Sequence, residues 1–460
     1  MGWGGSIIPG VGGQAMSIES TYEERNPASA RLYQRAGKVL PSGVTHDSRF
    51  MRPFPLYAER AAGARKWDAD GHELIDYVMG HGALMLGHNY PSVMEAAQAQ
   101  LALGTHYGAS TLKEIEWAEE VTRTVPSAEV VRFTSSGTEA TLMALRLART
   151  HTGKSGVIKF DRHFHGWHDY VVASSKYSAG APAGVPQATL DSVSVLPLEM
   201  DEVRRTVDER GDVGAIIVES AGASSGQLPV PRGFLHELQA FCRAQGIVFI
   251  MDEVVTGFRW APGGVQEVEG LKPDLTTLAK ILAGGFPGGA VAGSREVMEF
   301  LRFPDPGTKA TKVGHPGTFN ANPLSAAAGV ACLREIADGR HQRRANDLSA
   351  QLRAGMNGVL CELGMPGFVY GQASEFRIVI AGTQVPEAQD YDPRDLPWAL
   401  LEQGMPAERT RLLQLAMANH GSHLFGAGGL VSSVHTEADI ATTVEAWRES
   451  LKEMRDEGAA

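Results

Sequence analysis

Six short runs, Val130–Phe133, Val157–Phe160, Ala215–Val218, Ile247–Met251, Leu275–Leu278 and Ala290–Ala292, are largely apolar, and none alternates apolar with polar residues. Strands of that kind belong to a sheet covered on both faces, hence mostly parallel. Amphipathic stretches such as Ala140–Thr150 and Gly233–Arg243 lie between some of them and supply the covering helices. The fold class is therefore α/β, and ligands are expected at the carboxyl ends of the strands.

The flanks differ in character. Regular structure is expected from near Tyr22, with a charged helix reaching about Val39; residues 1–20 read as a flexible leader without the basic and apolar regions of a secretory signal. Lys66–Val78 alternates around Asp70-Gly71, a type I′ turn pair, and reads as a hairpin. Thr111 and Glu114 form a capping box ahead of a helix to about Thr124. Beyond a helix at about Asn322–Ala337 the chain becomes more charged, with helices near Arg343–Leu363 and Glu437–Arg455 around strands Phe376–Ile380 and Leu430–Val434. At 460 residues and 43% hydrophobic the chain exceeds one ordinary domain. The expected division is an N-terminal segment over 21–65 contributing to the small domain and the active site, a large domain over 66–335 and a smaller α+β domain over 336–460.

Composition excludes several partners. The 42 basic and 53 acidic residues give a net charge of −11, the wrong sign for binding nucleic acid through its phosphates. No run approaches the roughly 20 apolar residues that span a bilayer, so no membrane role is expected. Three widely separated cysteines (Cys242, Cys332 and Cys361) make neither a disulfide framework nor a metal motif, and fit the cytoplasm.

Three constellations carry chemistry. After strand Val130–Phe133, Ser136, Gly137 and Thr138 bring backbone N–H groups, hydroxyls and a helix N-terminus to one point, which suits a phosphate dianion and equally an ordinary helix cap. Asp252 leaves the end of a buried strand, where an acid needs a cationic partner such as a pyridinium; a helix cap or a magnesium ligand would also explain it. Lys280 ends an apolar strand and precedes Gly284-Gly285; an amine held there would have a lowered pKa and could form an imine, although a surface lysine is the commoner explanation of any lone lysine. Together they make a phosphate cradle, a pyridinium anchor and an imine-forming amine, each at the carboxyl end of a separate strand.

With these residues, the chain resembles the class III aminotransferases of pyridoxal-phosphate (PLP) fold type I, most closely the glutamate-1-semialdehyde 2,1-aminomutase branch. The similarity runs from about Pro41 to Gly329 and includes Lys66–Gly71, Leu86-Gly87-His88, Val131–Ala140, Met251–Arg259 and Gly317–Leu324. It implies a large domain with a mostly parallel sheet, a smaller domain, and PLP held through Lys280 as a Schiff base. It further implies that Ser136, Gly137 and Thr138 hold the phosphate, that Phe164, beside His165, stacks on the ring where relatives usually have tyrosine, and that Val254 covers the other face. Asp252 would keep the ring nitrogen protonated, Lys280 would carry the proton between substrate carbon and cofactor, and Thr318 would reach the phosphate of the other subunit's cofactor in a homodimer.

Two departures bear on substrate. The aminomutases usually have tryptophan where this chain has His81, and a gating glutamate where it has Ala427. They point to intermolecular transfer between a small amino donor and a keto acceptor, with the aminomutase as the alternative. Arg49 falls where the mutase's carboxylate-binding arginine lies; a surface-loop arginine is the other reading. His163, His165 and His168 with Asp169 superficially suggest a metal cluster, but no second ligand group accompanies them and no metal is expected. Thr152–Ser155 lacks the earlier glycine of a P-loop, and Gly284–Gly289 lacks dinucleotide-loop spacing.

Overall fold

A computed structural model describes residues 16–174, 182–382 and 384–459. Most of the expected leader lies outside the described residues, but regular structure begins at Ile18, earlier than expected, because the Ser17 hydroxyl caps the first helix at the amide of Ser20. The single helix expected from Tyr22 is two, Ile18–Arg25 and Pro27–Ala36. Pro27 has no N–H to continue the first ladder, and Asn26 closes that helix by donating to the Tyr22 carbonyl through its amide at 3.1 Å and its Nδ2 at 2.7 Å.

Strands β1 (Ala58–Ala62), β2 (Arg65–Asp68) and β3 (Glu73–Asp76) form an antiparallel ribbon, so the hairpin is present. Its connection is not type I′: Gly71 has φ +90°, but Asp70 lies outside the positive-φ region. Asp68 shapes the loop by accepting from the amides of Asp70 and His72 at 3.0 and 2.8 Å. That frees Asp70 to accept from the amides of Ala28 and Ser29 at the start of the second helix.

The central sheet uses β4 (Val130–Thr134), β5 (Gly156–Phe160), β6 (Val193–Leu196), β7 (Val213–Glu219), β9 (Val248–Asp252), β10 (Leu275–Ala279) and β11 (Gly289–Gly293), in the order β4-β11-β10-β9-β7-β5-β6. A two-residue β8 (Leu228–Pro229) bridges only to Gly222 and Ala223. All six expected strands are present, and β6 is an additional edge strand. Only β11 runs against the others, antiparallel to both β4 and β10. β5, β7, β9, β10 and β11 are buried at every position, as strands between two layers of helices must be.

The remaining strands are β12 (Phe368–Tyr370), β13 (Glu375–Val379), β14 (Ser422–His423) and β15 (Gly428–Leu430). β12, β13 and β15 form an antiparallel sheet, while β14 joins β3 in parallel. The strand expected over Leu430–Val434 is displaced: only Leu430 lies in β15, and Val431 and Ser433 donate to the carbonyls of Ser374 and Met85. A core around Trp447, Leu352 and Phe376 also takes in Ile18, Tyr22 and Tyr77, tying early residues to the carboxy-terminal third.

Candidate active site

The carboxyl ends of β4, β7, β9 and β10 open into one cavity of about 350 Å³ lined by Ser136, Phe164, Glu219, Asp252, Val254 and Lys280. The three constellations expected from sequence are thus brought together. Ser136 is the N-cap of helix Gly137–Thr152, its hydroxyl accepting from the Glu139 amide at 3.2 Å. The cap reading is what the geometry shows, and a cap still leaves the other first-turn N–H groups available to an anion. Glycine is required nearby at two close approaches. A Cβ on Gly137 would sit 3.0 Å from both Val254 methyls, and one on Gly166 (φ +100°) would lie 2.6 Å from Thr138 Oγ1. Without these glycines the helix start could not meet the end of β9 and the turn after His165.

Asp252 ends β9 fully enclosed. Its Oδ1 accepts from the Val254 amide at 3.0 Å and its Oδ2 from His165 Nδ1 at 2.7 Å. Burial pushes the carboxyl up to about 6, against the pull of the Val254 amide and the Lys280 charge. Burial also holds His165 well below its ordinary pKa, so this contact is a hydrogen bond from a neutral imidazole and not an ion pair. A carboxylate has more lone pairs than these two donors use, and its raised pKa marks a place where a cation would be stabilised. The neighbouring histidines serve other partners: His163 Nδ1 accepts from the Glu219 amide at 2.9 Å, and His168 Nε2 lies 3.2 Å from Thr141 Oγ1. Among the described residues no group of three or more metal-ligating side chains is assembled.

Lys280 follows β10 directly, in the left-handed region at φ 52°. A strained backbone at the end of a buried strand is common where a side chain must be aimed. Its stem passes over Gly82, where a Cβ would stand 3.6 Å from Lys280 Cδ, and Gly284 and Gly285 (φ +62° and +94°) turn the chain away behind it.

A second, outer cavity of about 730 Å³ adjoins the first, and His81, Ser224, Arg377 and Phe425 line both. His81 has φ 56°, stacks on His46 with ring centroids 5.0 Å apart and meets Phe425 edge-on. Its Nε2 is 3.1 Å from Ser48 Oγ. Burial, then the neighbouring His46 ring and the Arg49 charge, lower its pKa to about 4, so the ring is neutral at pH 7. Arg49 and Ala427 line the outer cavity only; Arg49 donates through Nη1 to Thr45 Oγ1 at 3.0 Å. Thr318 is exposed and outside both cavities, its carbonyl accepting from His106 Nε2 at 2.7 Å. One chain alone does not bring it to the other site residues.

The family model for "Aminotransferase class-III" matches residues 47–363. The chain belongs to the class III aminotransferases. Among its class III relatives, the glutamate-1-semialdehyde 2,1-aminomutase of Methanothermobacter thermautotrophicus is 39% identical over 409 residues, covering 86% of this chain and 96% of that protein. An omega-transaminase from Sphaerobacter thermophilus superposes with a TM-score of 0.84 at 36% identity, over 95% of this chain and 99% of that one. A transaminase with PLP bound superposes with the same TM-score at 31% identity, again over 95% and 99%. The resemblance to the class III family and its aminomutase branch is thus established, as are the PLP fold type I architecture and pyridoxal 5′-phosphate as the cofactor of this class III enzyme.

Two site residues of the class III chain escaped the sequence. Glu219 ends β7 as Asp252 ends β9, and it accepts from the amides of Phe164 at 2.5 Å and Ser224 at 3.3 Å. The rule that found Asp252, an acid closing a buried strand, applies to it equally. Arg377 is in the middle of β13, in another sheet, and no local pattern announces that this sheet reaches the cavity.

Proposed function

We propose that this class III enzyme moves the amino group of glutamate-1-semialdehyde between carbons 2 and 1, an intramolecular shift needing no external acceptor. The observation that carries it is the 39% identity to the archaeal aminomutase across 96% of that protein's length, which favours this reading over the intermolecular transfer that His81 and Ala427 suggest. Bound pyridoxal phosphate supplies an electron sink for the pair left on the substrate carbon when its proton leaves.

The chain's own residues do the rest. Ser136, Gly137 and Thr138 hold the phosphate at the helix N-terminus. Asp252 would hold the ring nitrogen, and His165 fixes the orientation of its carboxylate. Phe164 and Val254 enclose the ring. Lys280 Nζ would anchor the cofactor and, when free, would move the proton at the substrate carbon. Arg49 takes the substrate's distal carboxylate from the outer cavity. Thr318, exposed and away from its own cavity, serves the site of a second copy in a homodimer, and the enzyme works in the cytoplasm.

Intermolecular transfer is the second reading. It is favoured by His81 and Ala427 at the outer cavity, in place of the aminomutases' tryptophan and glutamate. Incubating the PLP-loaded enzyme with glutamate-1-semialdehyde and no keto acid separates them. Formation of 5-amino-4-oxopentanoate supports the shift, whereas turnover only after a keto acid is added establishes the second reading.

A further inference from the structure

Arg377 has no part in the reading above, yet it stands where the two cavities meet. Its Nη2 donates to the Ser224 carbonyl at 2.9 Å. Nη1 makes no hydrogen bond among the described residues, and buried Nε has no partner there either. The nearest acid, Glu375, is 3.8 Å away, beyond hydrogen-bond distance, and neither of its buried oxygens accepts a hydrogen bond among the described residues. Burial raises the Glu375 acid to about 7, so near neutrality it is only partly charged and compensates the guanidinium poorly.

The outer cavity is correspondingly one-signed. Arg49, Lys66 and Arg377 line it, no Asp or Glu among the described residues does, and of the three only Lys66 is paired closely, to Asp76 at 2.9 Å. Arg49 borders the outer space alone, whereas Arg377 also borders the space beside Lys280. A carboxylate held by Arg377 therefore belongs close to the reacting carbon, and one held by Arg49 farther out. Glutamate-1-semialdehyde carries an aldehyde, not a carboxylate, on its amine-bearing carbon and has no use for the inner guanidinium.

We infer that Arg377 is a specificity-determining residue that binds the carboxylate on the amine-bearing carbon of an α-amino acid, giving the enzyme an intermolecular half-reaction with dicarboxylic α-amino acids. In that half-reaction the donor's C–N bond is exchanged for C=O with water supplying the oxygen, and the nitrogen and the electron pair remain on the cofactor. The inference rests on the proposal above that Lys280 and Asp252 carry out pyridoxal-phosphate-dependent amino transfer, whether within one substrate or between two.

L-Glutamate and 4-aminobutyrate differ only by that carboxylate. Bleaching of the visible cofactor band in single turnovers gives a half-saturating concentration for each. The PLP-loaded wild type is expected to favour glutamate, and Arg377→Gln to raise the glutamate value by about 10- to 100-fold while changing that of 4-aminobutyrate less than twofold. Arg377→Lys, which keeps the charge but loses the fork, should fall between, and an intact visible band certifies that each variant is folded. Equal effects on both amines, no effect on glutamate, or a wild type that glutamate does not bleach would each overturn the inference. Conversion of glutamate-1-semialdehyde by the same preparation shows that the amino-transfer reading survives that failure; loss of the band in the wild type would sink both.

Discussion

The inner and outer cavities share a wall at His81 and Arg377 but are built differently. Around the inner one, Asp252, Glu219 and Lys280 stand at the ends of strands buried at every position, and Asp252 and Glu219 each accept at least two hydrogen bonds. The outer one is walled largely by loops, and its guanidinium Arg49 is exposed and makes one side-chain hydrogen bond. A rigid sheet edge suits groups that must meet one cofactor in one geometry, while loops suit groups that vary with substrate. Changes in the inner cavity should therefore damage chemistry, and changes in the outer one should redistribute substrates.

The largest expected effect is from Lys280→Ala, which should lower single-turnover rates by at least about 10³-fold, since it removes both the anchor and the proton carrier. Stopped-flow absorbance checks it, and retained turnover would break the division between cavities. Asp252→Asn should cost roughly 10²- to 10³-fold in the same assay. The same residue gives a pH signature in the cofactor-free protein. Its folded pKa lies above the ordinary 3.8, so the folded state binds more protons there and stability should fall as pH rises from about 4 to about 6. The loss is on the order of 3 kcal/mol at most, and Asp252→Asn should flatten that part of a urea-denaturation series against pH.

Outer-cavity changes should be smaller and selective. Arg49→Gln is expected to raise KM for carboxylate substrates by about 10- to 100-fold with kcat changed far less. Steady-state kinetics would contradict the contrast if kcat fell instead. The pair His81→Trp with Ala427→Glu should shift the partition between intramolecular and intermolecular transfer about tenfold or less and leave the visible band untouched. Product analysis with and without a keto acid measures it.

The same division decided what could be read in advance. Asp252 and Lys280 were legible because buried apolar runs end on them, and Ser136–Thr138 because a helix starts there. β6 was missed because Ser194 interrupts a half-covered edge strand. β15 was misplaced because its first two residues are glycines with no side-chain signal; Gly429 is demanded by Tyr77, whose Cβ would lie 2.6 Å from an added Cβ. His81 and Ala427 could be flagged only as departures from a family pattern. Arg377 was invisible because the long-range pairing of β13 with β15, where Arg377 stands opposite Gly428, and not its neighbours in sequence, brings it to the cavity.

The most direct test of the inner site is the absorbance spectrum of the purified protein during titration with pyridoxal phosphate, run beside Lys280→Ala. A visible band of lysine-bound cofactor in the wild type and its absence in the variant are the expected result. Equal bands in both, or none in the wild type at saturating cofactor, would mean that Lys280 does not hold the cofactor and would contradict the assignment.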